Sequence, residues 1–122
     1  MVIDTDTTLA GPTEGQLTVR PGVTLSIDGQ HDGSIELEGD AELVVLGTLN
    51  GRLEIGSLGT ARIAGSVVGP VDIRIAGTLV IEPTGSVTGP VSNFGSFTNL
   101  GKRTGYVDGR TPDDRPGSTA KA

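Results

Sequence analysis

Glycine pairs spaced four residues apart recur along this chain at a nearly fixed interval: Gly11/Gly15, Gly29/Gly33, Gly47/Gly51, Gly65/Gly69 and Gly85/Gly89. Their first members lie 18, 18, 18 and 20 residues apart. Self-similarity at a short fixed period marks a solenoid, in which each repeat packs only on its neighbours. Cut at these glycines, residues 11–100 fall into five repeats. Within each repeat the aliphatic residues alternate, which is the period of a strand and not of a helix. The seventh position holds Leu17, Ile35, Leu53, Val71 and Val91, and the ninth Val19, Leu37, Ile55 and Ile73, then Asn93. The fifteenth holds Leu25, Leu43, Ala61 and Leu79, and the seventeenth Ile27, Val45, Ile63 and Ile81. Leu49, Val67 and Val87 add a third set in the later repeats.

Short strands with one apolar face, separated by glycines that tolerate the corners, describe one coil of a β-helix. The expected fold is therefore all-β: a single-stranded parallel β-helix of about five to six coils, stacked about 4.8 Å apart, with aliphatic ladders inside. A helical fold is excluded, because 20 glycines in 122 residues would each cost about 1 kcal/mol against alanine. Disorder is opposed by the 33 Val, Ile, Leu and Phe residues, above the range of disordered chains. Repeat four has two extra residues at Glu82-Pro83-Thr84, after its last inward aliphatic Ile81. Proline has no N–H for a ladder, so this is an enlarged corner. The expected boundaries are a flexible arm or partial coil over 1–10, a β-helix core over 11–107, and a tail over 108–122. Charge, Gly and Pro replace aliphatics in that tail, which predicts disorder.

Charge and composition remove several functions. Residues 1–100 carry four basic and twelve acidic side chains, whereas 101–122 carry five basic and three acidic. An acidic body with one Tyr, two Phe and no Trp is poorly suited to phosphate backbones or stacked bases, so nucleic-acid binding is not expected. The absence of cysteine excludes disulfides and thiolate metal sites. No apolar run approaches the ~20 residues of a membrane-spanning helix.

Some outward positions carry chemically capable side chains. Glu36, Glu54 and Asp72 occupy the eighth position of successive repeats, with Glu38 close by. A stack of carboxylates suits a hard cation, but a solvated outer face is the simpler account, since Arg74 neighbours Asp72 and no calcium-loop pattern is present. His31, the only histidine, sits in the corner QHDG and is expected to be an exposed turn residue. There is no GxSxG nucleophile elbow, and the glycine pairs lack the Lys-Ser/Thr of a phosphate loop. Nor is there a flat Thr-x-Thr array of the ice-binding kind. No catalytic, cofactor or metal site is expected, and the chain does not read as an enzyme. Phe94, Phe97 and Leu100, with Tyr106 close behind, lie at the end of the repeats, where bulky rings either cap the last coil or meet another subunit. Together with Leu17 and Val19 of the first repeat, Phe94, Phe97 and Leu100 form the expected surface for end-to-end contact.

The segments GTLNGRLEI (47–55), GSVVGPVDI (65–73) and GSVTGPV (85–91), followed by NFGSF (93–97), resemble the repeated core of the bactofilins, polymer-forming bacterial cytoskeletal proteins. The resemblance covers about residues 11–100. It implies a right-handed, roughly triangular β-helix that assembles end to end, without nucleotide, into nonpolar filaments. It implies a cytoplasmic scaffold, at the inner face of the cell membrane, whose partners are other copies of itself and envelope or cell-shape proteins. The family's apolar, lysine-bearing membrane segment has no counterpart in MVIDTDTTLAG (1–11). The expected function is thus a self-assembling structural rod. One alternative is a monomeric binding module, adhesive or toxin-neutralising. The other is a left-handed β-helix acyltransferase, whose single aliphatic every six residues differs from the pairs two apart seen here.

Overall fold

The computed structural model describes residues 2–110, 112–115 and 117–121. They form a β-solenoid of about six turns built from three parallel, seven-stranded sheets, and no helix occurs among them. The first sheet stacks Val2–Ile3, Leu17–Val19, Ile35–Leu37, Leu53–Ile55, Val71–Ile73, Val91–Asn93 and Val107–Gly109. The second stacks Thr7–Leu9, Thr24–Ile27, Glu42–Val45, Thr60–Ile63, Thr78–Ile81, Ser96–Asn99 and Asp113–Asp114. The third stacks Thr13–Glu14, Gln30–Asp32, Thr48–Asn50, Ser66–Val68, Ser86–Thr88, Lys102–Thr104 and Thr119–Lys121. Each turn visits the three sheets in that order, so strands adjacent in space are about one repeat apart in sequence.

Register is set by the alternation. Leu17, Ile35, Leu53, Val71 and Val91 stand in one column of the first sheet, with Val19, Leu37, Ile55 and Ile73 in the next inward column. Leu25, Leu43, Ala61, Leu79 and Phe97 make the matching column of the second sheet. All of these inward side chains are buried in a single core. A one-residue slip would turn every one of them to solvent, so each coil is locked to its neighbours by the same pattern that identified it.

From the second pair onward, the second glycine is required by close approach. Gly51 has φ +147, and a Cβ placed there would lie 2.3 Å from the carbonyl oxygen of Gly33, one coil earlier. Gly33, Gly69 and Gly89 meet the preceding coil in the same way. This corner is backbone stacked on backbone, with no room for a side chain. The extra residues at Glu82-Pro83-Thr84 do form a corner, closed by the Gly85 N–H donating to the Glu82 carbonyl at 2.8 Å.

Both ends extend further than the repeats suggest. Val2–Ile3 and Thr7–Leu9 make the arm a partial first coil, with Ile3 buried against Val19. The tail differs from the disorder expected from Asp108. Val107–Gly109, Asp113–Asp114 and Thr119–Lys121 pair in parallel with the coil before them. Residue 1 of the arm and residues 111, 116 and 122 of the tail lie outside the described residues. The physical reason for this extension is that ladder bonds are made by the backbone, while Val107 packs on the core and the inward Arg103 and Asp114 are polar and satisfy each other. A sixth glycine pair, Gly101/Gly105, marks it: Gly105 has φ +125 and lies against Gly89 as the earlier glycines do.

Candidate functional site

The surfaces expected to meet a partner are not where the repeats placed them. Leu17 and Val19 are buried beneath Val2–Ile3, one coil in from the end. Phe97 is only 3% exposed and stacks in the core column on Leu79. It is a core residue, and its aromatic bulk fills space that smaller aliphatics fill lower in the rod. Leu100 is half-buried at the corner after Ser96–Asn99. Phe94 is 55% exposed but on the rod's side, at the corner that leaves the first sheet. The structure therefore does not bring these five residues together, because each end carries one more coil than the glycine count supplied.

The true end layers have different characters. At the N-terminal end the inward residues are Ile3, Thr7, Leu9 and Thr13, with His31 directly behind Thr13. At the C-terminal end the column of Leu17 to Val91 runs on to the partly buried Val107, while in the other columns a polar plug takes over. Asn93 and Asn99 are buried, each accepting a backbone N–H through its side-chain oxygen, from Gly95 and Gly101 respectively, at 3.1 Å. Arg103, in the column of Leu49, Val67 and Val87, donates from Nε to Asp114 Oδ1 and from Nη2 to Oδ2, both at 2.9 Å. Asn99 Nδ2 donates to the same Oδ1 at 3.0 Å. These bonds hold the Asp114 carboxyl below its usual range, Arg103 foremost, and Asp114 in turn raises the Arg103 guanidinium. A bidentate arginine–carboxylate pair is strong and directional. It closes the core where apolar side chains run out. The sequence signal for this plug was Asn93 at a position that had been aliphatic in four repeats running.

The outward face of the first sheet is an interleaved charge ladder. Glu36, Glu54 and Asp72 do line up on adjacent strands. Arg52 reaches one coil forward to Asp72, and Arg74 one coil back to Glu54. A shallow groove on this face is lined by Arg52, Glu54, Asp72, Arg74, Ser92 and Phe94. The arginines supply the counter-charge that a bound cation would otherwise supply, and among the described residues no metal-binding cluster of His, Asp or Glu forms.

His31 is fully buried, not an exposed turn residue as expected. Gln30–Asp32 is a strand, and alternation turns His31 inward while Gln30 and Asp32 face solvent. Its Nε2 donates to the Gly15 carbonyl at 2.8 Å, which leaves Nδ1 to accept from the Thr13 hydroxyl at 2.7 Å. A hydroxyl beside an imidazole is the start of a nucleophile–base pair. Here the ring has no surface through which to meet a substrate, and its second nitrogen rests on a carbonyl where a catalytic base would need an orienting carboxylate. His31 is a polar core residue that ties the first coil to the second. Asp32 outside it accepts from Asn50 and Gln30, which lowers its pKa.

No protein-family model, curated protein or solved structure matches this chain.

Proposed function

We propose that this chain is a structural protein: a bactofilin-like rod that assembles end to end, without nucleotide, into filaments that serve as a cytoskeletal scaffold. One observation carries the proposal. All three sheets terminate at the same two ends, so each end presents three parallel strand edges side by side. An uncovered strand edge is a template for further pairing, and three in a triangular array match the opposite end of an identical rod. A non-closing contact of this kind generates fibres. The test is size-exclusion chromatography with light scattering, and negative-stain microscopy, across a concentration series of the purified chain without nucleotide. Rods that lengthen with concentration are expected, and a monomer at every concentration overturns the proposal.

A second reading, a finite monomeric binding rod, is favoured by the Arg103–Asp114 pair. Inward-pointing charges at a sheet end are one way in which proteins discourage edge pairing. The same concentration series separates the two.

A further inference from the structure

The geometry points to a polar, head-to-tail contact in which the last strand layer of one copy stacks under the first strand layer of the next, with Arg110 set beside the next copy's Asp4. This rests on the self-assembly proposed above and departs from the nonpolar filaments that the family resemblance implies.

Register within the rod supplies the alignment. At the corner leaving the first sheet, one N–H per coil donates to the coil before it: Arg20 to Ile3, Glu38 to Val19, Gly56 to Leu37, Arg74 to Ile55, Phe94 to Ile73 and Arg110 to Asn93, all at 2.7–3.0 Å. Arg110 is the last member of this column, and Asp4, which follows Ile3 as Arg20 follows Val19, is its first. Repeating the column once more between two copies joins the Asp4 N–H to the Gly109 carbonyl. It also sets the Arg110 and Asp4 side chains one strand spacing apart, about 4.8 Å. In the third sheet the same operation brings the register position of Lys121 to that of Glu14.

Charge favours this orientation over its alternatives. Residues 1–19 contain Asp4, Asp6 and Glu14 and no lysine or arginine. Two N-terminal ends brought together would oppose acid with acid, and two C-terminal ends would oppose layers that carry both signs, with no Asp4 to meet Arg110. Both arrangements also set strands antiparallel where every pairing in the rod is parallel. Head to tail, Asp113 and Asp114 meet the positions of Thr8 and Leu9, so no like charges are opposed. Asp114 is already neutralised by Arg103 of its own chain. Arg110 and Asp4 are exposed, and neither has an ion-pair partner among the described residues. Both are available to a second copy.

The experiment compares the full chain with Asp4→Arg, Arg110→Asp and the double exchange, by pelleting across concentration and by negative-stain microscopy. Far-ultraviolet circular dichroism checks that each variant is folded. Each single variant places like charges in the contact, and its critical concentration is expected to rise about tenfold at low salt. The double exchange restores the pair and returns assembly to the wild-type range. An equimolar mixture of the two single variants does the same, as an alternating copolymer. If wild type forms filaments and both single variants assemble as readily, the head-to-tail contact is overturned while self-assembly stands. Failure of the mixture or the double exchange to recover also overturns it. A wild-type chain that stays monomeric removes self-assembly itself, and this contact with it.

Discussion

Three isoleucines test whether the rod is held by neighbour-on-neighbour burial. Ile55 is fully buried between Leu37 and Ile73, with coils on both sides. Ile3 is 3% exposed, but its strand pairs with only one other. Ile75 is 74% exposed at a corner. The same substitution, to alanine, removes the same atoms at each. In the middle of the stack, lost transfer free energy and an unrelaxed cavity together cost about 3–4 kcal/mol, within the range for buried aliphatic-to-alanine changes. At Ile3 only one coil packs against the side chain and the end layer can collapse or fray, so about 1–2 kcal/mol is expected. At Ile75 the change is within about 0.5 kcal/mol. Urea unfolding followed by far-ultraviolet circular dichroism is the assay, because the chain has no tryptophan and one tyrosine. It should be run at a concentration where wild type is monomeric, or with the wild-type oligomer as its own reference, since assembly adds stability by mass action. Equal losses at Ile55 and Ile3, or a loss below about 1 kcal/mol at Ile55, would refute a core made of continuous ladders.

Gly51→Ala should cost about 2 kcal/mol or more, from positive φ and the contact with the Gly33 carbonyl, whereas Gly11→Ala, where a Cβ meets nothing within 4 Å, should be nearly neutral; equal melting temperatures would contradict the backbone-on-backbone corner. The Asp114 pKa is lowered on folding, so its contribution is fully present above the unfolded value of about 3.9 and is lost as pH falls through the lower folded value. Melting between pH 7 and pH 2.5 should therefore show a smaller acid-induced loss in Asp114→Asn than in wild type, and identical pH profiles would show that the plug does not contribute. Phe97→Arg should give insoluble or unfolded protein, because it places a charge in the core without a partner; a folded variant that merely fails to assemble would put Phe97 back on an end surface.

The repeating part of the fold was legible because one geometric demand recurs coil after coil. The Gly33–Gly51–Gly69 corner admits no side chain, and the column through Leu53 is aliphatic from Leu17 to Val107. Periodicity detects a demand only where it is repeated. His31 shows the limit. It occupies the column of Leu49, Val67 and Val87, yet hydrophobicity alone reads it as outside, because its burial depends on two partners, Thr13 and Gly15, sixteen to eighteen residues away. The C-terminal coil failed to register for the same reason: Asn99, Arg103 and Asp114 are inward by position and polar by chemistry, and only their mutual hydrogen bonds make that tolerable. Gly101/Gly105 and Val107, at the seventh position after them, are what survives of the period.

That pattern bears on what the rod ends do. A solenoid interior could have run aliphatic to its last layer, leaving an apolar disc that would associate with any hydrophobic surface. Here the C-terminal disc is replaced by the Arg103–Asp114–Asn99 plug, while the N-terminal layer keeps Ile3 and Leu9 beside three carboxylates. Apolar attraction between ends is thereby reduced, and what remains is ladder hydrogen bonding together with the placement of charge. Both of those depend on register and direction, so an association built from them discriminates between one end and the other, weakens with salt, and weakens further when a single opposed pair is reversed.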